Sequence, residues 1–159
     1  KNDRASEASL EFALRSMSTL NKKAAMIMCA VGVNGCTDIT GFGLLGHTKE
    51  MAVASSAAII IYADKVPTIP GTLELAREKM IPGGSFRNRD YLKDYVQVNE
   101  AIPEEEAMIF FDAQTSGGLL ISVADEKAEE LVKKLHAGGV EEAAIIGEVS
   151  DGPAIVTVR

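Results

Sequence analysis

Apolar residues recur at helical spacing through residues 5–20, where Leu10, Ala13, Leu14 and Met17 share one face. Ser6, Glu7 and Ser9 supply capping chemistry at its start. Residues 22–31 are apolar nearly all round, which predicts a buried helix, and Gly32 and Asn34-Gly35 stop it. Residues 36–40 read as short and extended, and helical spacing returns over 41–54 through Leu44, Leu45, Thr48, Met51 and Ala52. The run 57–63 predicts a buried strand. Pro67 and Pro70 precede a short helix over 72–79. Residues 81–92, with Pro82-Gly83-Gly84 and the polar cluster Arg87, Asn88, Arg89 and Asp90, read as a loop. A short strand follows over 95–98, then a helix opened by Pro103 and Glu104-Glu105-Glu106, with acids at its positive end. A strand over 119–123, a helix over 126–136 ended by Gly138-Gly139, and strands over 144–149 and 155–158 complete the chain. The turn Asp151-Gly152-Pro153 predicts that the last two strands form a hairpin. Strict strand–helix alternation is absent. The order therefore predicts a single α+β domain over 1–159, a mixed sheet covered by helices.

Composition narrows the function classes. The chain has 159 residues and a formal net charge of -7. Such an acidic chain is a poor nucleic-acid binder, and a polyphosphate would need a cation or a partner domain beside it. The apolar runs 24–31 and 57–63 are far shorter than the ~20 residues that cross a bilayer. Cys29 and Cys36 have no second pair or Cys/His cluster near them, which argues against structural zinc and fits a reducing, cytoplasmic setting. The opening Lys1-Asn2-Asp3-Arg4 carries neither an initiator Met nor the apolar core of a signal peptide, so a piece of a longer protein is expected.

Several segments carry polar chemistry. Gly41-Phe42-Gly43-Leu44-Leu45-Gly46 matches G-x-G-x-x-G, with Asp64 at roughly the spacing of the acidic residue of a dinucleotide fold. That fold needs an apolar strand before the first glycine, whereas residues 34–40 are mostly polar. The plainer reading is a glycine-rich helix entry capped by Thr40 and closely packed. Asp38, between Thr37 and Thr40, has the character of a ligand for a hard cation such as Mg2+, or of a turn residue. The loop Gln114-Thr115-Ser116-Gly117-Gly118 is either an anion nest or an ordinary turn. Arg87 and Arg89 either face a phosphate or lie in solvent. His47 reads as a packed residue, and His136 as one that meets the last carbonyls of its helix. No nucleophile motif is present.

Taken together, three segments resemble one family. Cys36-Thr37-Asp38-Ile39-Thr40-Gly41-Phe42-Gly43-Leu44-Leu45-Gly46-His47 is similar to the T-D-[VI]-T-G-F-G-L-x-G-H motif of the selenophosphate synthetases (selenide, water dikinases). Pro82-Gly83-Gly84 with Asn88 resembles their P-G-G…N loop, and Asp112-Ala113-Gln114-Thr115-Ser116-Gly117-Gly118-Leu119-Leu120 resembles their D-P-Q-T-S-G-G-L-L motif. The motifs occur in family order, and with weaker similarity around them they cover nearly the whole chain. Ala113 departs from the family's usual Pro, which removes a φ restraint but no functional group.

The resemblance implies a three-layer α/β/α fold with a mixed sheet, the C-terminal domain of a two-domain, cytoplasmic, homodimeric enzyme of the aminoimidazole ribonucleotide synthetase superfamily. That family makes selenophosphate, AMP and phosphate from ATP, selenide and water. It implies Asp38 as a Mg2+ ligand at the domain junction, with Thr37, Thr40, Gly41, Asn88, Gln114, Thr115 and Ser116 near ATP or its phosphates. The family's nucleophilic Cys or selenocysteine, its essential Lys and most of its aspartates belong to the other half, so the isolated chain is expected to be inactive. Two alternatives remain open. One is another ATP enzyme of the superfamily, such as a thiamine-phosphate kinase or a hydrogenase-maturation protein. The other is a non-catalytic module that binds a nucleotide or a partner.

Overall fold

The computed structural model describes residues 4–159. The reading of the first three residues as lacking a leader lies outside this range. The helices are α1 (Glu7–Ser18), α2 (Lys22–Val31), α3 (Gly43–Ser55), α4 (Thr72–Arg77), α5 (Gly83–Leu92), α6 (Glu104–Phe110) and α7 (Asp125–Ala137). The strands are β1 (Gly35–Asp38), β2 (Ala58–Ile61), β3 (Val96–Val98), β4 (Leu119–Ser122), β5 (Gly147–Ser150) and β6 (Val156–Val158). The fold is α+β with a mixed sheet, as the sequence predicts.

Four strands form that sheet in the order β3-β6-β2-β5. β2 runs parallel to β6 and antiparallel to β5, while β3 runs parallel to β6. Registry places Ile59 beside Val156 and Ile61 beside Val158, and Val96 and Val98 beside the same two valines. One face is therefore aliphatic across three strands, since side chains alternate with period two. α3 packs across β2 and β6 on it. Leu45, Ile61, Leu92, Met108, Val156 and Val158 are fully buried in this core. Each such side chain contributes about 1.5–3 kcal/mol relative to exposure.

β1 and β4 form a separate antiparallel ribbon, Gly35 opposite Ser122 and Asp38 opposite Leu119. Leu119 and Ile121 pack with Ala24, Leu131 and Leu135 in a second core beneath α2 and α7, whereas Leu120 and Ile39 belong to the first. The ribbon is thus gripped on both faces.

Three expectations are corrected. Residues 81–92 are mostly helix, not loop. Pro82 opens α5 with extended backbone, and the buried stripe below it is Ser85, Asn88 and Leu92. The last two strands are not a hairpin, because the apolar β2 lies between them and the turn at Gly152 passes over Ala58. α2 is not buried all round: Ala24 is buried, but Met26 is 65% exposed. The capping of α1 by Ser6 holds, with the Ser9 amide donating to the Ser6 hydroxyl at 3.1 Å. Its apolar face, however, lies open, with Leu10, Leu14, Met17 and Leu20 exposed.

Candidate functional site

The three motif segments, far apart in the chain, meet at the end of the ribbon. Beyond β1 and β4 the hydrogen-bond ladder continues into their loops. The Ile39 amide donates to the Gly118 carbonyl at 2.9 Å, Gly117 to Ile39 at 2.8 Å and Gln114 to Thr40 at 3.1 Å. Gly117 lies so close that a Cβ there would stand 2.8 Å from Ile39 Cγ2. The start of α3 closes on the same loop. Gly43, at φ +71°, would place a Cβ 2.7 Å from the Asp112 carbonyl oxygen. Only glycine combines that backbone with that approach.

α5 locks the junction. Asn88 is buried, and its amide nitrogen donates to the Gly41 and Phe111 carbonyls, both at 3.0 Å. Both amide hydrogens are thereby committed to backbone. One turn earlier, Ser85 donates to Asp112 Oδ1 at 3.1 Å. Burial pushes the Asp112 carboxyl above the usual carboxylate range, and the Ser85 hydrogen bond offsets part of that rise.

Asp38 closes β1 and is exposed. Among the described residues nothing donates to its carboxylate and no cation pairs with it. Thr37 is half-buried beside it, its hydroxyl 3.4 Å from the Asp38 carbonyl oxygen. Gly41 is exposed, Gln114 and Ser116 are half-buried, and Thr115 is exposed on the zipped loop.

Thr40 does not cap α3, whose N-cap position is Phe42. Its carbonyl accepts from Gly43 at 3.0 Å, and its hydroxyl meets His47 Nε2 at 3.1 Å. His47 Nδ1 is 2.9 Å from Glu50 Oε2. Sequence reading left Glu50, Ser85 and Asp112 without roles. The i,i+3 spacing of His47 and Glu50 is the one signal that could have found the first.

Other candidates fall away. A dinucleotide βαβ unit needs parallel strands, whereas β1 and β2 lie in different sheets. Arg89 is taken up by Glu104 at 3.1 Å and by Asp90, while Arg87 is exposed. His136 meets the Ala143 carbonyl at 2.8 Å, not the end of its own helix. Both cysteines are free. Cys36, though exposed, has its thiol pushed up by desolvation and then by Asp38 and Cys29, which opposes thiolate chemistry. A cleft of about 960 Å³ lined by Leu92, Val96, Val98, Ile102, Met108 and Phe111 runs along β3, and neither Asp38 nor Thr40 lines it. No helix among the described residues is long and apolar enough to cross a membrane.

Comparison with known proteins places the chain in a family. Residues 1–159 match the family "AIR synthase related protein, C-terminal domain". A selenide, water dikinase of Caldanaerobacter subterraneus subsp. tengcongensis is 51% identical over 140 residues, which are 87% of this chain and 40% of that protein. One from Pelobacter propionicus is 47% identical over 143 residues, 90% of this chain and 41% of that protein. The chain therefore spans about 40% of the length of these relatives. Among solved structures, Escherichia coli HypE, a hydrogenase maturation protein, superposes with a TM-score of 0.61 at 19% identity, covering 95% of this chain and 41% of that one. At that identity the likeness is one of fold.

Proposed function

The chain belongs to the AIR synthase related protein C-terminal domain family, and from that premise we propose that it is the C-terminal domain of a selenide, water dikinase. On this reading the two-domain parent is a cytoplasmic homodimer that makes selenophosphate, AMP and phosphate from ATP, selenide and water. One observation carries the proposal. The three segments that resemble the synthetase motifs are bound into one junction, with the unpartnered Asp38 carboxylate at its rim. Identity near one half with proteins of that name across most of the chain supports it.

Asp38 fits one ligand position for Mg2+, being an exposed carboxylate with no competing partner. It does not fit a complete site. Among the described residues no three His, Cys, Asp or Glu side chains stand together as a metal cage. The remaining ligands would come from the other domain. Mg2+ held there would supply charge neutralisation for the phosphates. In this proposal the Gln114-Thr115-Ser116 loop and the Thr37–Gly41 segment flank the polyphosphate, tied together by the Gln114 amide on the Thr40 carbonyl, while Asn88 ties Gly41 to Phe111 behind them.

The test is selenide-dependent AMP formation by the full-length protein. The expected result is turnover by the two-domain protein and none by the isolated chain. Asp38→Asn should lower Mg-ATP turnover more than tenfold, over ~1.4 kcal/mol in the transition-state barrier. Absence of selenide-dependent AMP from the full-length protein would overturn the assignment, turnover by the isolated chain would overturn its expected inactivity, and unchanged kinetics for Asp38→Asn would return Asp38 to a capping role. Replacing selenide with other acceptors separates this reading from other ATP enzymes of the family.

A further inference from the structure

The first helix has little support from the rest of the described chain. Of the 12 residues of α1 only Ser9 is buried, and Phe12 and Ala13 are half-buried. That face is the one that touches the domain. A Cβ at Gly71, just before α4, would stand 3.0 Å from the Ser9 hydroxyl. Arg4, ahead of the helix, pairs with Glu78 at 2.8 Å. Leu10, Leu14 and Met17 recur at i, i+4 and i+7, so they form a second stripe, about a third of a turn from the Ser9–Ala13 face. They are 55%, 56% and 44% exposed. A helix of this length is marginal in water unless its apolar face is packed. The stripe is therefore a face without its cover.

We propose that the Leu10, Leu14 and Met17 stripe of α1 is the docking face for the domain that precedes it in the parent protein. The inference rests on the two-domain part of the proposed function and not on selenide or Mg2+. The matched family is named for a C-terminal domain, and the chain spans about 40% of the relatives' length, so most of such a protein lies ahead of α1. A domain tethered there meets the stripe at a high effective concentration and without a second association step. A second copy is the poorer occupant. One face of a helix about 18 Å long falls well short of the ~800 Å² that each partner buries in a standard stable interface. A lipid surface suits it no better, because the polar side carries Glu7 and Glu11 with Arg15, not a row of cations. Glu7 and Glu11 border the stripe, so the covering face is expected to be apolar with basic residues at its edge.

The experiment places the photocrosslinker p-benzoylphenylalanine in place of Leu14 in the full two-domain protein. The expected product keeps the mass of one chain on denaturing electrophoresis, and peptide mapping joins α1 to a segment from ahead of Lys1. A product of doubled mass would make a second copy the occupant and overturn the inference. So would the absence of any crosslink, or one confined to residues 1–159. A second measurement is limited proteolysis between the two domains. Leu14 is exposed within this domain, so Leu14→Asp leaves both of its cores intact. In the full-length protein it should speed that cleavage about tenfold, because losing one buried leucine raises the open population by that order. Leu14→Met keeps the apolar bulk and should be cleaved like wild type. Cleavage of Leu14→Asp at the wild-type rate would overturn the inference. If position 14 captures the preceding domain but the protein makes no AMP from selenide, the selenide reading fails and the docking face stands. AMP formation without that crosslink keeps the selenide reading and sinks the docking face.

Discussion

Asp112 is the carboxyl on which the structure makes the sharpest demand. Its folded pKa is raised, so protonation favours the native state. The stabilising contribution of its protonated form is complete below the unfolded carboxylate pKa and is lost as pH rises through the folded value. At neutral pH the ionised group therefore opposes folding. Asp112→Asn keeps an oxygen for the Ser85 hydroxyl and removes the charge. It should raise the melting temperature at pH 7, and the difference from wild type should shrink as the pH falls through the carboxylate range. Thermal melts of both proteins between pH 4 and pH 7 check this. At this scale the sequence is legible where chemistry is local. Asp38 stands out between two threonines, and the structure leaves it exposed at the end of β1. Burial and long-range partners are not local, so Asp112 passes as part of a motif and the tie that Asn88 makes between two distant carbonyls goes unseen.

α5 shows why one element escapes a hydrophobic pattern. Its buried positions 85, 88 and 92 have helical spacing, but two of them are Ser and Asn. The helix is held by hydrogen bonds to Gly41, Phe111 and Asp112, all distant in sequence, while its first turn contains two glycines. Pattern reading counts apolar residues and finds a loop. The consequence is testable. Asn88→Ala leaves two carbonyl acceptors without their donor, at a cost of about 2 kcal/mol or more, measurable by urea unfolding. Asn88→Asp cannot donate to either carbonyl and should be no better. The pairing of β5 with β6 that the sequence suggests, and the fold does not form, has a different origin. Alternation and a Gly-Pro turn report that two strands run antiparallel, which they do, but not whether a third lies between them. The strongly aliphatic Ala58–Ile61 segment takes the inner position, where neighbours flank it on both edges.

At the scale of the whole molecule, the described residues form two cores joined by one ribbon. The first core holds the sheet with α3, α5 and α6, and the second holds α2 and α7. Because Leu120 serves one and its neighbours Leu119 and Ile121 the other, neither core can open without disturbing the same two strands. Leu45→Ala, a truncation at a fully buried site in the first core, should cost about 2–5 kcal/mol. Unfolding followed by probes on α7 and on the sheet should still give one coincident transition. Separate transitions would show that the ribbon does not couple the cores. The mixed-sheet architecture is legible from element order, whereas the division into two cores is not, since it depends on which face of β4 each leucine takes. Under the proposed function, the ribbon also sets what kind of ligand Asp38 would be. Strands clamped from both sides have no slack along which to slide, so the carboxylate at their tip is a mooring post rather than a reaching arm. Whatever binds there has to travel to it, and the adjustable half of any encounter lies with the visitor.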